Sequence, residues 1–223
     1  MKSCFFDRAD AGRQLAGALH QYAGRADVVV LALPRGGVPV AYQVASALDA
    51  PLDVLVVRKL GYPYNPELAM GAIASGGTVY LQRSVIASMG VTDAQLAKEI
   101  ERESAELKRR EALYRGAREP VSVDWRTVIV VDDGIATGAS MRVALQVLRE
   151  RRPAHVVVAV PVSPPGIEDK LEDLADAFVV LSHPVPFFGI SQFYVHFDQT
   201  KDDEVRRLLD AAGSASDGGV SPA

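Results

Sequence analysis

The sequence predicts an α/β fold with a mainly parallel central sheet flanked by helices, and three observations carry that prediction. Short apolar runs rich in β-branched residues recur at residues 27–33, 52–57, 127–131, 155–160 and 177–181; runs apolar on both faces suit parallel strands covered on each side. Between them lie segments with helical spacing, Val40, Val44 and Leu48 after the first run and Met141, Ala144, Leu145 and Leu148 after the third, with residues 167–174 read as a further helix. Two of the runs end in glycine-punctuated turns, Pro34-Arg35-Gly36-Gly37 and the stretch from Gly134 to Ser140. Strands alternating with helices of this length argue for α/β architecture rather than a sandwich or bundle.

The remaining elements follow in order. Leu15, Leu19 and Tyr22 at i, i+4 and i+7, with Asp10 available as a cap, predict an amphipathic first helix. Residues 61–77, rich in Gly, Pro and Asn, predict a mobile stretch ending in a hairpin turned at Ser75-Gly76-Gly77. Thr92 to Gln95 has capping-box spacing and opens a helix of about six turns ending near Gly116. Eleven of residues 95–115 are charged, and only Leu96, Ile100, Leu107 and Tyr114 form a narrow apolar stripe. That pattern reads as a solvated face, with a partner-binding or homodimer-forming helix as the minority reading. Residues 213–223 carry almost no apolar anchor and predict a disordered tail, leaving residues 1–212 as a single domain.

Composition sets the outer limits. A chain of 223 residues with 48% apolar and 23% charged residues can bury a core. Its net charge of −4 supplies no overall positive field for nucleic acid, although Lys108-Arg109-Arg110 and residues 149–152 could form a small basic patch. The longest strongly apolar stretch, residues 28–33, is far short of the roughly 18 that suggest a membrane span. Asp7, Arg8, Asp10 and Arg13 interrupt any signal-peptide core, so a soluble, cytoplasmic protein is expected. Cys4 stands alone, which excludes an internal disulfide and a multi-cysteine zinc site. His183 and His196 lack metal-ligand spacing, and Trp125 reads as a packing residue.

The chemistry-bearing segment is Val128 to Ser140: four β-branched residues, the acids Asp132 and Asp133, then Gly134, Ile135, Ala136, Thr137, Gly138, Ala139 and Ser140 running into a helix. In an open α/β sheet ligands sit beyond the carboxyl ends of the strands. A glycine-rich turn at a helix N-terminus aims backbone N–H groups and the positive dipole end at an anion. A phosphate fits that loop, with Thr137 and Ser140 as further donors. The two carboxylates accept rather than donate, so they suit sugar hydroxyls or a hydrated Mg²⁺. The spacing is neither that of a nucleoside-triphosphate loop nor that of a dinucleotide fingerprint.

This segment resembles the phosphoribosyl-pyrophosphate (PRPP) motif of the type I phosphoribosyltransferases, and the resemblance covers residues 1 to about 210. The Arg-Gly-Gly and Arg-Lys-Leu-Gly wording is most similar to bacterial phosphoribosyltransferases of unassigned base. The resemblance implies that Asp132 and Asp133 hold the ribose hydroxyls, that Gly134 to Ser140 cradle the 5′-phosphate, and that Arg35, Gly36 and Gly37 contact pyrophosphate. Arg58 and Lys59, read as the end of the second strand on the same sheet edge, would add pyrophosphate contacts, Lys59 the more so and as a catalytic group beside the two acids. It further implies Mg²⁺ as cofactor, held through water rather than by direct protein ligands, and a nitrogenous base as acceptor. Residues 60–74, punctuated by Gly61, Pro63, Pro66 and Gly71, would form a lid, with Asn65 and Glu67 completing the closed site.

For the base, the resemblance implies a small hood, for which the N-terminal residues with the 75–116 insertion compete with residues 182–199. The second segment holds five of the chain's fifteen aromatic residues, among them Phe187, Phe188 and Tyr194 as base-stacking candidates, with core packing the more common use of each ring. Ala136 occupies the position where 6-oxopurine transferases carry an acid, which argues against hypoxanthine and guanine. Two other functions fit the same segment less well: a PRPP- or nucleotide-sensing regulator without turnover, and a PRPP-forming or phosphate-hydrolysing enzyme, for which no ATP motif is present.

Overall fold

In a computed structural model, which describes residues 5–63, 65–116 and 118–217, the chain forms a five-stranded parallel sheet and a second, three-stranded antiparallel sheet. The parallel sheet contains β1 (Val28–Ala32), β2 (Leu52–Val54), β6 (Thr127–Val131), β7 (His155–Val162) and β8 (Ala177–Ser182) in the order β2-β1-β6-β7-β8. Period-two alternation divides each strand between two cores. Val28, Val30 and Ala32 face α1 (Arg8–Ala18) and α2 (Gly37–Leu48), whereas Val29 and Leu31 face α5 (Ala139–Arg149), all fully buried. The parallel sheet and the helices after its first and third runs bear out the fold class read from the sequence.

The second sheet, β3 (Val57–Tyr62), β4 (Asn65–Ala74) and β5 (Thr78–Leu81), wedges between α5 and the long helix α4 (Asp93–Arg115). Leu60, Ile73 and Val79 pack with Leu107 of α4, while Ala72, Ala74 and Tyr80 pack toward α5. The hairpin at residues 75–77 turns as expected, and Thr92 makes the complete capping box on α4.

Several expectations are corrected. Residues 52–57 are not one strand: β2 stops at Val54, Leu55 N still donates to Ala32 O at 2.9 Å, and Val56 N already donates to Ser75 Oγ at 3.1 Å in the second sheet. The lid segment is a β-hairpin rather than a loop, with residue 64 and the side chains of residues 65–68 outside the described residues. Residues 167–174 form successive i→i+3 turns in place of a helix; Pro164-Pro165 and Gly166, at φ +75°, precede them. Asp7, not Asp10, caps α1, accepting from Asp10 N at 2.7 Å. α6 (Asp202–Asp217) carries helix into the segment expected to be disordered. Trp125 is 71% exposed, contrary to a packing role, and no described helix is long and apolar enough to cross a membrane.

The charged helix α4 is fixed by buried ion pairs that the narrow apolar stripe does not show. Arg115 Nε donates to Asp53 Oδ1 at 2.8 Å and its Nη2 to Val54 O at 2.9 Å, while Asp53 also accepts from Val121 N. Glu103, almost fully buried, accepts from Arg58 Nε at 2.6 Å. Removing one member strands its partner's charge, so Arg115→Ala should lose about 3–5 kcal/mol in urea unfolding. Arg109→Ala, at the exposed Glu106 pair, should lose less than about 1 kcal/mol. Similar losses for the two variants would contradict the assignment of α4's anchoring to Arg115.

Candidate functional site

β1 leads away to β2 on one side while β6 lies on its other side, so the crevice beyond their carboxyl ends is the topological switch point of the sheet. Pro34 to Gly37 and Asp132 to Gly138 meet there. The contact requires glycine: a Cβ on Gly36 would lie 2.1 Å from Asp133 Oδ2, and one on Gly37 would lie 2.7 Å from Val131 O. Gly134 is pressed by Ile190 and Val162, and Gly138 adopts φ +83° with Ile167 against it. The Pro34–Arg35 peptide is cis.

Each acid is held by one oxygen. Asp132 Oδ1 accepts from Asp133 N at 2.9 Å, and Asp133 Oδ2 accepts from Arg8 Nε at 2.8 Å. Among the described residues no other residue donates to Asp132 Oδ2 or Asp133 Oδ1, so each carboxylate keeps one acceptor unclaimed, and Asp133 borders the cleft. The Asp133 carbonyl accepts from Tyr194 OH at 2.6 Å. On the phosphate side no side chain caps α5 at Gly138; Thr137 Oγ1 accepts from Ala139 N at 3.3 Å, and Ala136, Thr137 and Ser140 are exposed. That leaves an open, positively polarised helix end beside the acids.

Burial pushes the Asp132 carboxyl well above the ordinary carboxylate range, and the charge of Asp133 beside it adds to the rise. Burial also raises Asp133, opposed by the hydrogen bond and charge of Arg8. Burial raises the Tyr194 phenol, with the Asp133 charge contributing, so it stays a neutral donor.

A cleft of about 430 Å³ opens beside the acids, bounded by Arg8, Arg35, Gly36, Asp133, Ile190 and Thr200. A larger hollow of about 490 Å³ lies by Pro51 and the end of α6, at the opposite end of the strands. Two of its acids are held in ion pairs, Asp53 by Arg115 and Asp210 by Arg118, and it lies away from the glycine-lined helix end.

The structure brings Arg35, Gly36, Gly37, Asp132, Asp133 and residues 134–140 together but separates other candidates. Arg58 and Lys59 do not end a strand of the parallel sheet; both lie in β3, on opposite faces. Arg58 is tied to Glu103, while Lys59 is exposed. Tyr194 is no base platform, because its ring is buried against Phe5 and Phe197 and its hydroxyl is spent on Asp133. Phe187 packs on Phe193, whereas Phe188 is 86% exposed. The side chains of Asn65 and Glu67 lie outside the described residues. Among the described residues there is no group of three or more His, Cys, Asp or Glu side chains placed to hold a metal directly. Arg8 was not legible as a site residue: its partner is 125 positions away and its own neighbourhood shows only a capped helix start.

A crevice at the switch point of a parallel sheet, with an acid pair and a glycine-lined helix end, places the protein among the open α/β folds that carry their sites beyond the carboxyl ends of the strands. Residues 6–197 match the phosphoribosyl transferase domain, and the chain belongs to that family. It is 48% identical over 208 residues to Rv0571c of Mycobacterium tuberculosis, named provisionally as a phosphoribosyl transferase, and equally to MT0597 from a second strain. Those matches cover 93% of this chain but 47% of the relatives, so the chain spans about half their length. The crystal structure of TT1426 from Thermus thermophilus superposes with a TM-score of 0.81 at 42% identity, covering 92% of this chain and 97% of that one.

Because folded Asp132 binds its proton more tightly than in the unfolded chain, its ionisation opposes folding. The penalty is absent below the unfolded carboxylate pKa of about 3.9 and grows as pH rises through the folded value. Asp132→Asn should therefore melt higher than the parent near pH 7, and the two melting temperatures should converge near pH 3. An equal or lower melting temperature for the variant near pH 7 would contradict the burial argument.

Proposed function

We propose that the protein is a phosphoribosyltransferase that moves the 5-phosphoribosyl group of PRPP to a nitrogenous base with release of pyrophosphate. The observation that carries this reading is the pair of unclaimed acceptors, Asp132 Oδ2 and Asp133 Oδ1, on neighbouring residues next to an uncapped helix N-terminus. Two acceptors suit a vicinal diol, and the helix end suits the phosphate attached to the same sugar.

On this reading the base nitrogen attacks C1 of the sugar, the N–C1 bond forms, and the C1–O bond electron pair leaves with pyrophosphate. Asp132 and Asp133 hold the 2′ and 3′ hydroxyls, and residues 134–140 fix the phosphate, which orients C1. Gly36 and Gly37 bring backbone close to the leaving group, with Arg35 and Lys59 as cationic donors. The donor set fits a hydrated Mg²⁺, since Asp132 and Asp133 could accept from its water; such an ion would neutralise charge on the leaving group. The β3–β4 hairpin would close over the crevice and exclude water, and the exposed Phe188 is an aromatic surface that could meet a base.

Calorimetry with PRPP and Mg²⁺ tests binding, and pyrophosphate release against adenine, orotate, uracil and less common nitrogen heterocycles tests turnover. Asp133→Asn should weaken PRPP by about 1.5–3 kcal/mol. Lys59→Ala should lower kcat more than it weakens PRPP, since it serves charge that develops on the leaving group. Tight PRPP binding with no acceptor supporting release would turn the assignment to a sensor, and absence of PRPP binding would remove it. Cleavage of the 60–74 hairpin by a protease should slow when PRPP and an acceptor are both present; equal rates would count against its closing role.

A further inference from the structure

The least expected contact in the crevice is made by the N-terminal segment. Arg8 reaches from the first turn of α1 to Asp133, and both side chains are almost wholly buried, at 12% and 11% exposure. The guanidinium is clamped on three sides: Nε to Asp133 Oδ2 at 2.8 Å, Nη1 to Asp198 O at 2.6 Å, and its plane 3.8 Å above the Phe197 ring. A cation in a helix's first turn sits at the unfavourable end of the dipole, so α1 gains nothing from an arginine there.

The chain is also tied down to deliver it. Phe5 N donates to Phe193 O, Val195 N to Phe5 O and His196 N to Phe6 O, at 2.8 to 2.9 Å, after which Asp7 caps the helix. Asp133 in turn is pinned by elements outside its own strand: Arg8 on Oδ2, the Gly36 backbone against the same oxygen, and Tyr194 on the carbonyl. Holding Oδ2 opposes the rotation about the Cβ–Cγ bond that would exchange the two carboxylate oxygens.

We propose that Arg8 is a positioning residue of the sugar site: by holding Asp133 through Oδ2 it leaves Oδ1 as the acceptor aimed at a ribose hydroxyl, and it links that geometry to residues 193–198 beside the neighbouring cleft. The proposal rests on the phosphoribosyl reading of the acid pair. Arg8 also sets a positive charge beside two adjacent carboxylates, the buried Asp133 and the half-buried Asp132, so both can accept at once from a neutral diol. The alternative is that Arg8 merely staples the N-terminal segment to the body. The two roles differ in which ligand fragments feel its loss, because a staple has no preference for the sugar.

Calorimetry with PRPP, ribose 5-phosphate and pyrophosphate, each with Mg²⁺, separates them. Arg8→Gln should weaken the two ribose-bearing ligands by about tenfold or more and pyrophosphate by less than about twofold. In an Asp133→Asn background the same change should add less than about twofold, because its effect passes through Asp133. Arg8→Lys, which keeps the charge, should restore most of the lost affinity. Equal weakening of all three ligands, additive losses in the double variant, or full sugar affinity in a folded Arg8→Gln protein would each overturn the positioning role while leaving the phosphoribosyl reading intact. If Arg8→Gln does not fold, Phe197→Leu carries the test. It loosens the guanidinium without removing a charge and should weaken ribose 5-phosphate but not pyrophosphate; unchanged ribose 5-phosphate affinity overturns the proposal. A parent protein that binds pyrophosphate but neither ribose ligand overturns the phosphoribosyl reading and this one together.

Discussion

The close approach of the Gly36–Gly37 backbone to the Asp132–Asp133 carboxylates is the contact on which the rest of the crevice depends. Two parallel strands side by side place their carboxyl ends about one strand spacing, roughly 4.8 Å, apart. Any loop leaving both must therefore thread a narrow gap. Leu33 N extends the ladder by one bond to Val131 O at 2.9 Å, which carries the strand spacing into the loops themselves. With no side chain at Gly36 or Gly37, the backbone of the first loop can lie against the acids of the second, and neutral peptide groups become their neighbours. The same proximity that shields the acids raises their proton affinity, so the geometry that makes them good oriented acceptors also makes their ionisation unfavourable to the fold.

That cost is contained by pieces of chain that arrive from far away in sequence. Arg8 comes from α1, Tyr194 and Ile190 from the segment before α6, and each touches a different atom group of the Asp133–Gly134 turn. Around the second sheet the same device appears with different residues. Arg115 on Asp53 and Arg58 on Glu103 bind α4 to the point where the chain leaves one sheet for the other. A helix with few apolar residues can dock in this way because a small number of fully satisfied ion pairs fix its register, while the narrow Leu107–Tyr114 stripe supplies the burial.

What was legible in the sequence follows from the range of the signal. Strand and helix periods, the Thr92 capping box and the glycine punctuation after Val131 are local patterns, and the structure reproduces them. The departure of the chain from β2 to β3 is not local: Leu55 and Val56 are as apolar as their neighbours, and only their separate partners, Ala32 and Ser75, reveal a change of sheet. Residues 167–174 misled for a related reason. Ile167 and Leu171 are both buried, which satisfies i, i+4 spacing, yet a series of tight turns buries the same two side chains without forming a helix. Tyr194 shows the limit for aromatics, since composition cannot distinguish a ring that stacks on a ligand from one whose hydroxyl braces a loop.

Adjacent residues with the same charge are not equivalent once a strand places them. Arg58 and Lys59 read alike in the sequence, but period-two alternation sends Arg58 to the buried Glu103 and Lys59 to solvent on the opposite face of β3. Arg58 therefore anchors the root of the hairpin, and only Lys59 keeps an uncommitted charge. Arg35 is similarly placed by its surroundings: half exposed, with Nη1 3.8 Å from Asp202 Oδ1, it borders both the cleft beside Asp133 and a second hollow against α4. A weak, solvent-screened pair of that kind holds the side chain without consuming its donors. On the proposed reading, the leaving group would thus meet one arginine from the first loop and one lysine from the hairpin, two cations on separate elements that can approach it from different sides when the hairpin closes.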